Sequence, residues 1–72
     1  YRLPSASRVQ LRVYDASGRL VAQLVNAEQM EGEHTVGWNG RDARGAVVGS
    51  GVYFVRLESN GESRTQKTVL LK

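Results

Sequence analysis

The chain has 72 residues, no cysteine and a formal net charge of +3, with ten basic against seven acidic residues. That length is one domain at most, burying only about 60% of its unfolded surface, and the lack of thiols excludes disulfide staples, a cysteine nucleophile and thiolate metal sites. Eight of the ten cations are arginines scattered from Arg2 to Arg64, so no basic stripe points to nucleic acid, and no apolar run approaches the ~20 residues of a membrane-spanning helix.

The opening, Tyr1–Pro4, carries no basic-then-apolar export leader and reads as the start of an excised piece. Strict alternation begins at Arg8–Tyr14: Val9, Leu11 and Val13 share one face, and Arg8, Gln10, Arg12 and Tyr14 the other. That pattern predicts a half-buried strand. Asp15-Ala16-Ser17-Gly18 turns the chain, with an Asp carboxylate to accept backbone N–H groups and a Gly for the left-handed position. Arg19–Val25 is the return strand, with Leu20, Ala22 and Leu24 against Val21, Gln23 and Val25. Both sets are apolar enough to predict cover on both faces.

Asn26–Gly32 is polar and too short for a stable helix, so it reads as a loop holding at most one helical turn. Glu33–Asn39 alternates again and predicts a strand with His34, Val36 and Trp38 on one face; Trp38, the largest apolar group, is expected at the centre of the core. Gly40–Gly51 is a glycine-rich loop with a short strand at Ala46–Val48, and Asp42-Ala43-Arg44-Gly45 repeats the turn chemistry of Asp15–Gly18. Val52–Glu58 is a strand with Tyr53, Val55 and Leu57 inward. Ser59-Asn60-Gly61 marks a hairpin, because Asn and Gly tolerate positive φ. Glu62–Lys72 closes the chain, polar first and apolar at Val69-Leu70-Leu71, so the core is expected to engage its end. These elements predict an all-β domain, an antiparallel β-sandwich.

No catalytic set can be assembled from these residues. His34 is the only histidine and shares a face with Val36 and Trp38, which suits the rim of a core better than a triad or zinc site. Asp15 and Asp42 each bring one carboxylate to a loop. That favours turn capping, with a weak calcium site at Asn39 and Asp42 as the alternative. Glu28, Glu31 and Glu33 cluster on one loop and read as solvated rather than as a glycosidase pair. No glycine run has the lysine and strand–helix context of a phosphate loop. Tyr14 and Phe54 fall on outward faces; Phe54 asks for cover, and Tyr1–Pro4 is the simplest candidate.

Five pieces in order carry a resemblance: Val13-Tyr14-Asp15 with Gly18-Arg19; Gly32 and His34; Trp38-Asn39-Gly40-Arg41-Asp42; Ser50-Gly51-Val52-Tyr53; and Lys67-Thr68-Val69-Leu70-Leu71-Lys72. Together they resemble the immunoglobulin-like C-terminal sorting domain (type A) of proteins exported by the bacterial type IX secretion system. They are equally similar to the Ig-like domain of flagellar hook-capping proteins. Two features depart from the sorting-domain pattern: its Asn-Pro-rich opening segment is missing, and its Trp-Asp-Gly is here Trp-Asn-Gly.

The resemblance implies an Ig-like sandwich of about seven short strands over residues 1–72, with no catalysis, metal or cofactor of its own. Asp15, Gly18, Trp38, Gly40, Asp42, Gly51 and Tyr53 would be structural turn and core residues. Lys67, Thr68, Val69, Leu70, Leu71 and Lys72 would be a sorting signal. Apart from the resemblance, an exposed edge of the last strand is expected to accept a strand from a receptor. The implied partners are an N-terminal cargo protein, an outer-membrane translocon and a surface peptidase. The implied destination is the cell surface or the medium, by way of the periplasm. The alternatives are a structural Ig-like module of a hook-capping or multidomain surface protein, and a carbohydrate-binding or adhesive module using Tyr14 and Phe54. Self-association through a sheet edge is a further expectation.

Overall fold

The structure, a computed structural model, describes residues 1–71. The described residues form six strands and no helix: β1 (Arg2–Leu3), β2 (Ser7–Asp15), β3 (Leu20–Gln29), β4 (Gly32–Glu33), β5 (Gly51–Ser59) and β6 (Glu62–Leu70). Four form an antiparallel sheet in the order β3-β2-β5-β6, while β1 and β4 form a separate two-stranded ribbon.

The alternation in β2 sets the inner face. Val9 and Val13 are fully buried and Leu11 nearly so. Antiparallel pairing places side chains of opposed residues on the same face. Val13 therefore meets Val55 and Leu11 meets Leu57, while Asp15 stands opposite Tyr53. At the far end the buried Ser7 hydroxyl shares a 2.8 Å hydrogen bond with that of Ser59, which satisfies a polar group inside the sandwich. The β5–β6 hairpin closes through Asn60 (φ 51°) and Gly61 (φ 76°), the two positive-φ residues of a type I′ turn.

The second layer is mostly irregular. Beyond the β1–β4 ribbon, residues 34–50 cross the inner face without long strands, apart from an isolated Arg41–Val47 bridge. Trp38 meets Tyr53 edge-on, with ring centroids 5.1 Å apart and planes at 64°. Its indole N–H donates to the Arg41 carbonyl at 3.0 Å. The buried cluster is Val13, Ala22 and Tyr53, with Trp38, Val48, Val55 and Leu70 packed against it. Trp38 thus caps the core from above, half-buried, and is not its centre; its indole N–H needs a carbonyl, and the loop supplies one.

Four further expectations are corrected. Asn26–Gln29 is not loop: it continues β3 and pairs with Ser7–Gln10, and Arg8 Nη2 donates to Asn26 Oδ1 at 2.8 Å. A polar stretch suits a sheet edge, and pairing with β2 overrides its local preference. The strand expected at Glu33–Asn39 is confined to Gly32–Glu33, because its only partner, β1, is two residues long; one more rung, His34 N–H to the Tyr1 carbonyl, ends the ladder. The even alternation expected in Arg19–Val25 is broken by two register shifts, between Leu11 and Arg12 and between Val13 and Tyr14 on β2. They leave Leu24 and Val21 as extra residues on β3, bring both Val25 and Ala22 to the inner face, and leave Leu20 opposite Tyr14, half-exposed. Finally, Tyr1–Pro4 does not cover Phe54. Leu3 is buried on the opposite side, and Tyr1 lies over Leu11 and Leu57.

Val13 sits at the crossing of all these contacts. Val13→Ala removes two buried carbons and leaves a small cavity, a loss of about 2 kcal/mol. Thermal denaturation should show a fall in Tm of roughly 10 °C, whereas Val69→Ala, at a half-exposed position, should stay within about 0.5 kcal/mol of the parent.

Candidate functional site

The two edges of the four-stranded sheet differ. Edge strand β3 carries both register shifts, and its Val21 carbonyl accepts a hydrogen bond from Ala43 N–H at 3.1 Å. Bulging and a covering loop are two ways of closing an edge to further pairing. Edge strand β6 has neither. Its nine residues pair with β5 in unbroken register, from Gly51–Leu70 to Ser59–Glu62. Glu62–Lys67 are all exposed on its surface. In an antiparallel pair alternate backbone groups point away from the partner, so β6 presents a row of N–H and C=O groups that no strand among the described residues pairs with.

The C-terminal end of β6 is anchored by one side chain. Leu70 turns inward against the core cluster, and its methyl carbons lie 3.6 and 3.9 Å from where a Cβ on the buried Gly40 would sit. Gly40 also has φ +74°, so a larger residue there would meet both a strained backbone and Leu70. Val69 and Leu71 are 55% and 84% exposed. The expectation that all of Val69-Leu70-Leu71 engages the core is therefore corrected: strand alternation lets only Leu70 do so. Lys67 stands opposite Phe54 and Thr68 opposite Tyr53 on β5. Lys72 lies outside the described residues.

The two Asp turns are built alike. Asp15 N–H donates to the Arg19 carbonyl and Gly18 N–H to the Asp15 carbonyl, while Asp15 Oδ1 accepts the N–H groups of Ser17 and Arg19, all at 3.0 Å. In the second turn Asp42 pairs with Ala46, Gly45 N–H returns to Asp42, and Oδ1 accepts from Arg44 and Ala46 at 2.9 and 3.0 Å. Gly18 and Gly45 take φ of +90° and +83°. Asn39 Oδ1 caps Arg41 N–H at 3.0 Å. The Asn39 and Asp42 oxygens considered for calcium thus accept backbone donors, and among the described residues no three His, Asp or Glu side chains gather as a metal-binding group.

The remaining polar candidates are dispersed. His34 stacks on Tyr1 at 5.3 Å, and its Nε2 lies 2.8 Å from the Met30 carbonyl. Glu28 faces Arg8 across the β2–β3 ladder, and Glu33 lies 4.0 Å from Arg2. Tyr53 donates its hydroxyl to the Gly49 carbonyl at 2.6 Å. On the outer face Tyr14 and Phe54 are cross-strand neighbours and both half-buried. What sequence reasoning missed is a cleft of about 590 Å³ between the layers, where Leu11, Val55 and Leu57 face Tyr1 and residues 34–36, and where Arg64 and Gln66 of β6 form the rim. It follows from the weak second layer, and no local pattern announces it.

Comparison with known proteins places this geometry. The FlgD Ig-like domain family model matches residues 2–63. Among solved structures, FLGD from P. aeruginosa is 27% identical with a TM-score of 0.71, the match covering 96% of this chain and 56% of that one. PorZ of Porphyromonas gingivalis, an essential surface component of its type IX secretion system, is also 27% identical, with a TM-score of 0.62 over 92% of this chain and 8% of that one. The chain thus spans about half the length of the first structure and a small part of the second. Among curated protein sequences none matches.

The Asp15 turn carries a pH signature. Its carboxyl is held below the ordinary range by the Ser17 hydroxyl first, then by Arg19 N–H, with the Arg19 charge a smaller contribution. A depressed carboxylate contributes stability that is present above its unfolded pKa and is lost as pH falls through its folded value. Asp15→Asn keeps an accepting oxygen but no titration. Urea midpoints measured from about pH 6 to about pH 2 should fall less steeply for the variant, with the difference opening only below about pH 4.

Proposed function

The chain belongs to the FlgD Ig-like domain family, and from that premise we propose that it serves as a non-catalytic structural module within a longer, extracytoplasmic bacterial protein. The observation that carries this reading is the family match over residues 2–63, on a unit that forms 56% of one matching chain and 8% of the other. In both relatives a domain of this size is one part among others. A rigid antiparallel sandwich suits that role. It fixes the direction in which neighbouring domains leave, and it needs no cofactor or reactive side chain to do so. The parent is of the hook-capping or multidomain surface type, and the module works outside the cytoplasm.

A second reading keeps the type IX sorting role, favoured by the likeness to PorZ and by the open edge of β6. Here Lys67–Lys72 would be the signal, the outer-membrane translocon and surface peptidase its readers, and an N-terminal protein the cargo. That segment lies wholly beyond the matched residues 2–63, so the family match lends it no support. The structural reading therefore stands first.

The two readings part in one assay. A reporter carrying residues 1–72 at its C-terminus, behind an export leader, is expressed in a bacterium with an intact type IX system. The structural reading expects the reporter to stay in the periplasm, with no difference when Val69 and Leu71 are both replaced by Ser. Delivery of the reporter to the cell surface would overturn that reading in favour of sorting.

A further inference from the structure

Two features of β6 fall on the same side of the molecule. The first is its free edge, unbroken in register over Glu62–Leu70, while the opposite edge at β3 is bulged and covered. The second is the interlayer cleft, lined by buried Leu11, half-buried Val55 and Leu57, and the exposed residues Arg64 and Gln66. Its far wall is residues 34–36, with Val36 36% exposed. Among the described residues no strand pairs with the outer edge of β6.

We propose that β6 and this cleft together form an acceptor for one extended peptide segment of a partner protein, bearing acidic residues three apart. The segment adds to β6 as a fifth strand and packs alternate apolar side chains into the cleft. Main-chain hydrogen bonds to the row of free β6 groups supply affinity, and the cleft supplies side-chain selection. Residues of the incoming strand opposite Arg64, Gln66 and Thr68 share the inner face, since cross-strand neighbours point the same way. The side chain opposite Gln66 then reaches toward Val36 and Leu57, and a branched aliphatic residue fills that space.

Charge selects the partner. Arg64 projects on the inner face of β6, two residues from Glu62 on that face, and Lys67 on the outer; both cations are exposed. An acidic residue opposite each cation meets an opposite charge directly across the ladder. A second copy of this chain is disfavoured by the same logic. Antiparallel pairing of two β6 strands over their full length centres on Gln66 and sets Arg64 opposite Thr68 and Lys67 opposite Thr65, so a second copy brings neither cation a counter-charge, and cations on an edge are a known guard against such pairing. The inference goes beyond the structural-module reading: it names the chemistry that docks on the module, whichever parent carries it.

The test uses the purified chain and synthetic peptides of roughly ten residues. One alternates Val with Thr and carries two Glu residues three apart at its centre. Its counterpart has Lys in place of both Glu residues. Calorimetry should show the Glu peptide binding about ten-fold more tightly than the Lys peptide. The doubly reversed variant Arg64→Glu/Lys67→Glu, altered only at exposed positions, should invert that order. Val36→Ser should weaken the Glu peptide several-fold through the cleft wall, while Leu20→Ser on the opposite face should leave it unchanged. Absence of binding by both peptides, binding indifferent to the charge reversal, or a dimer of the free chain that the peptides cannot displace would each overturn the proposal.

Discussion

The pairing of β2 with β5 is the contact on which the rest of the molecule depends. It sets Val13 against Val55 and Leu11 against Leu57 at the middle of the sheet, and every other element is placed relative to that pair. β3 bends around β2 through two bulges so that Ala22 reaches the Val13 cluster. The irregular second layer is held where Trp38 meets Tyr53 of β5, and β6 joins through the tight Asn60-Gly61 turn and Leu70. A domain this small has little core to spare, which is why one fully buried valine carries so much of it.

The economy of that core has a functional consequence. Apolar side chains suffice to close the sandwich at the Val13–Tyr53 end and beside Leu3, but between them the layers stand apart and leave a cleft. The polar inner face of β6, with Glu62, Arg64 and Gln66, gives nothing for a second layer to pack on. The same strand keeps its outer edge free. The polarity of residues 62–67 weakens the core boundary there, sheet order leaves the strand's outer edge open, and together they make the β6 side of the domain the side able to engage a partner. Leu70, seated over Gly40, keeps that strand docked while its neighbours Val69 and Leu71 remain in solvent.

Local chemistry was the legible part of the sequence. The alternation of Val9, Leu11 and Val13, the Asn60-Gly61 hairpin, and the twin turns of Asp15 and Asp42 appear in the structure as expected, because each is decided by a few adjacent residues. What depends on distant partners was not legible. Asn26–Gln29 is polar and reads as loop, yet β2 recruits it as strand. Glu33–Asn39 alternates like a strand, yet only two residues of partner exist beside it. The bulges in β3 have one trace, the apolar character of Val21 and Leu24, which simple alternation puts on opposite faces, and that trace also fits burial on both sides. The place of β6 at an edge, and the cleft beside it, follow from sheet order, which no stretch of residues 62–72 encodes by itself. The family resemblance supplied the Ig-like architecture and its approximate strand number, but not how irregular the second layer is.

The claim most open to direct test is that β6 is a free edge in the isolated chain. Amide hydrogen exchange followed residue by residue on the 72-residue chain would decide it. The account predicts slow exchange throughout the middle of β2, and along β6 an alternation of slow amides bonded to β5 with fast amides that face solvent. Uniform protection along β6, equal to that of β2, would mean that something already pairs with its outer edge and would contradict the account.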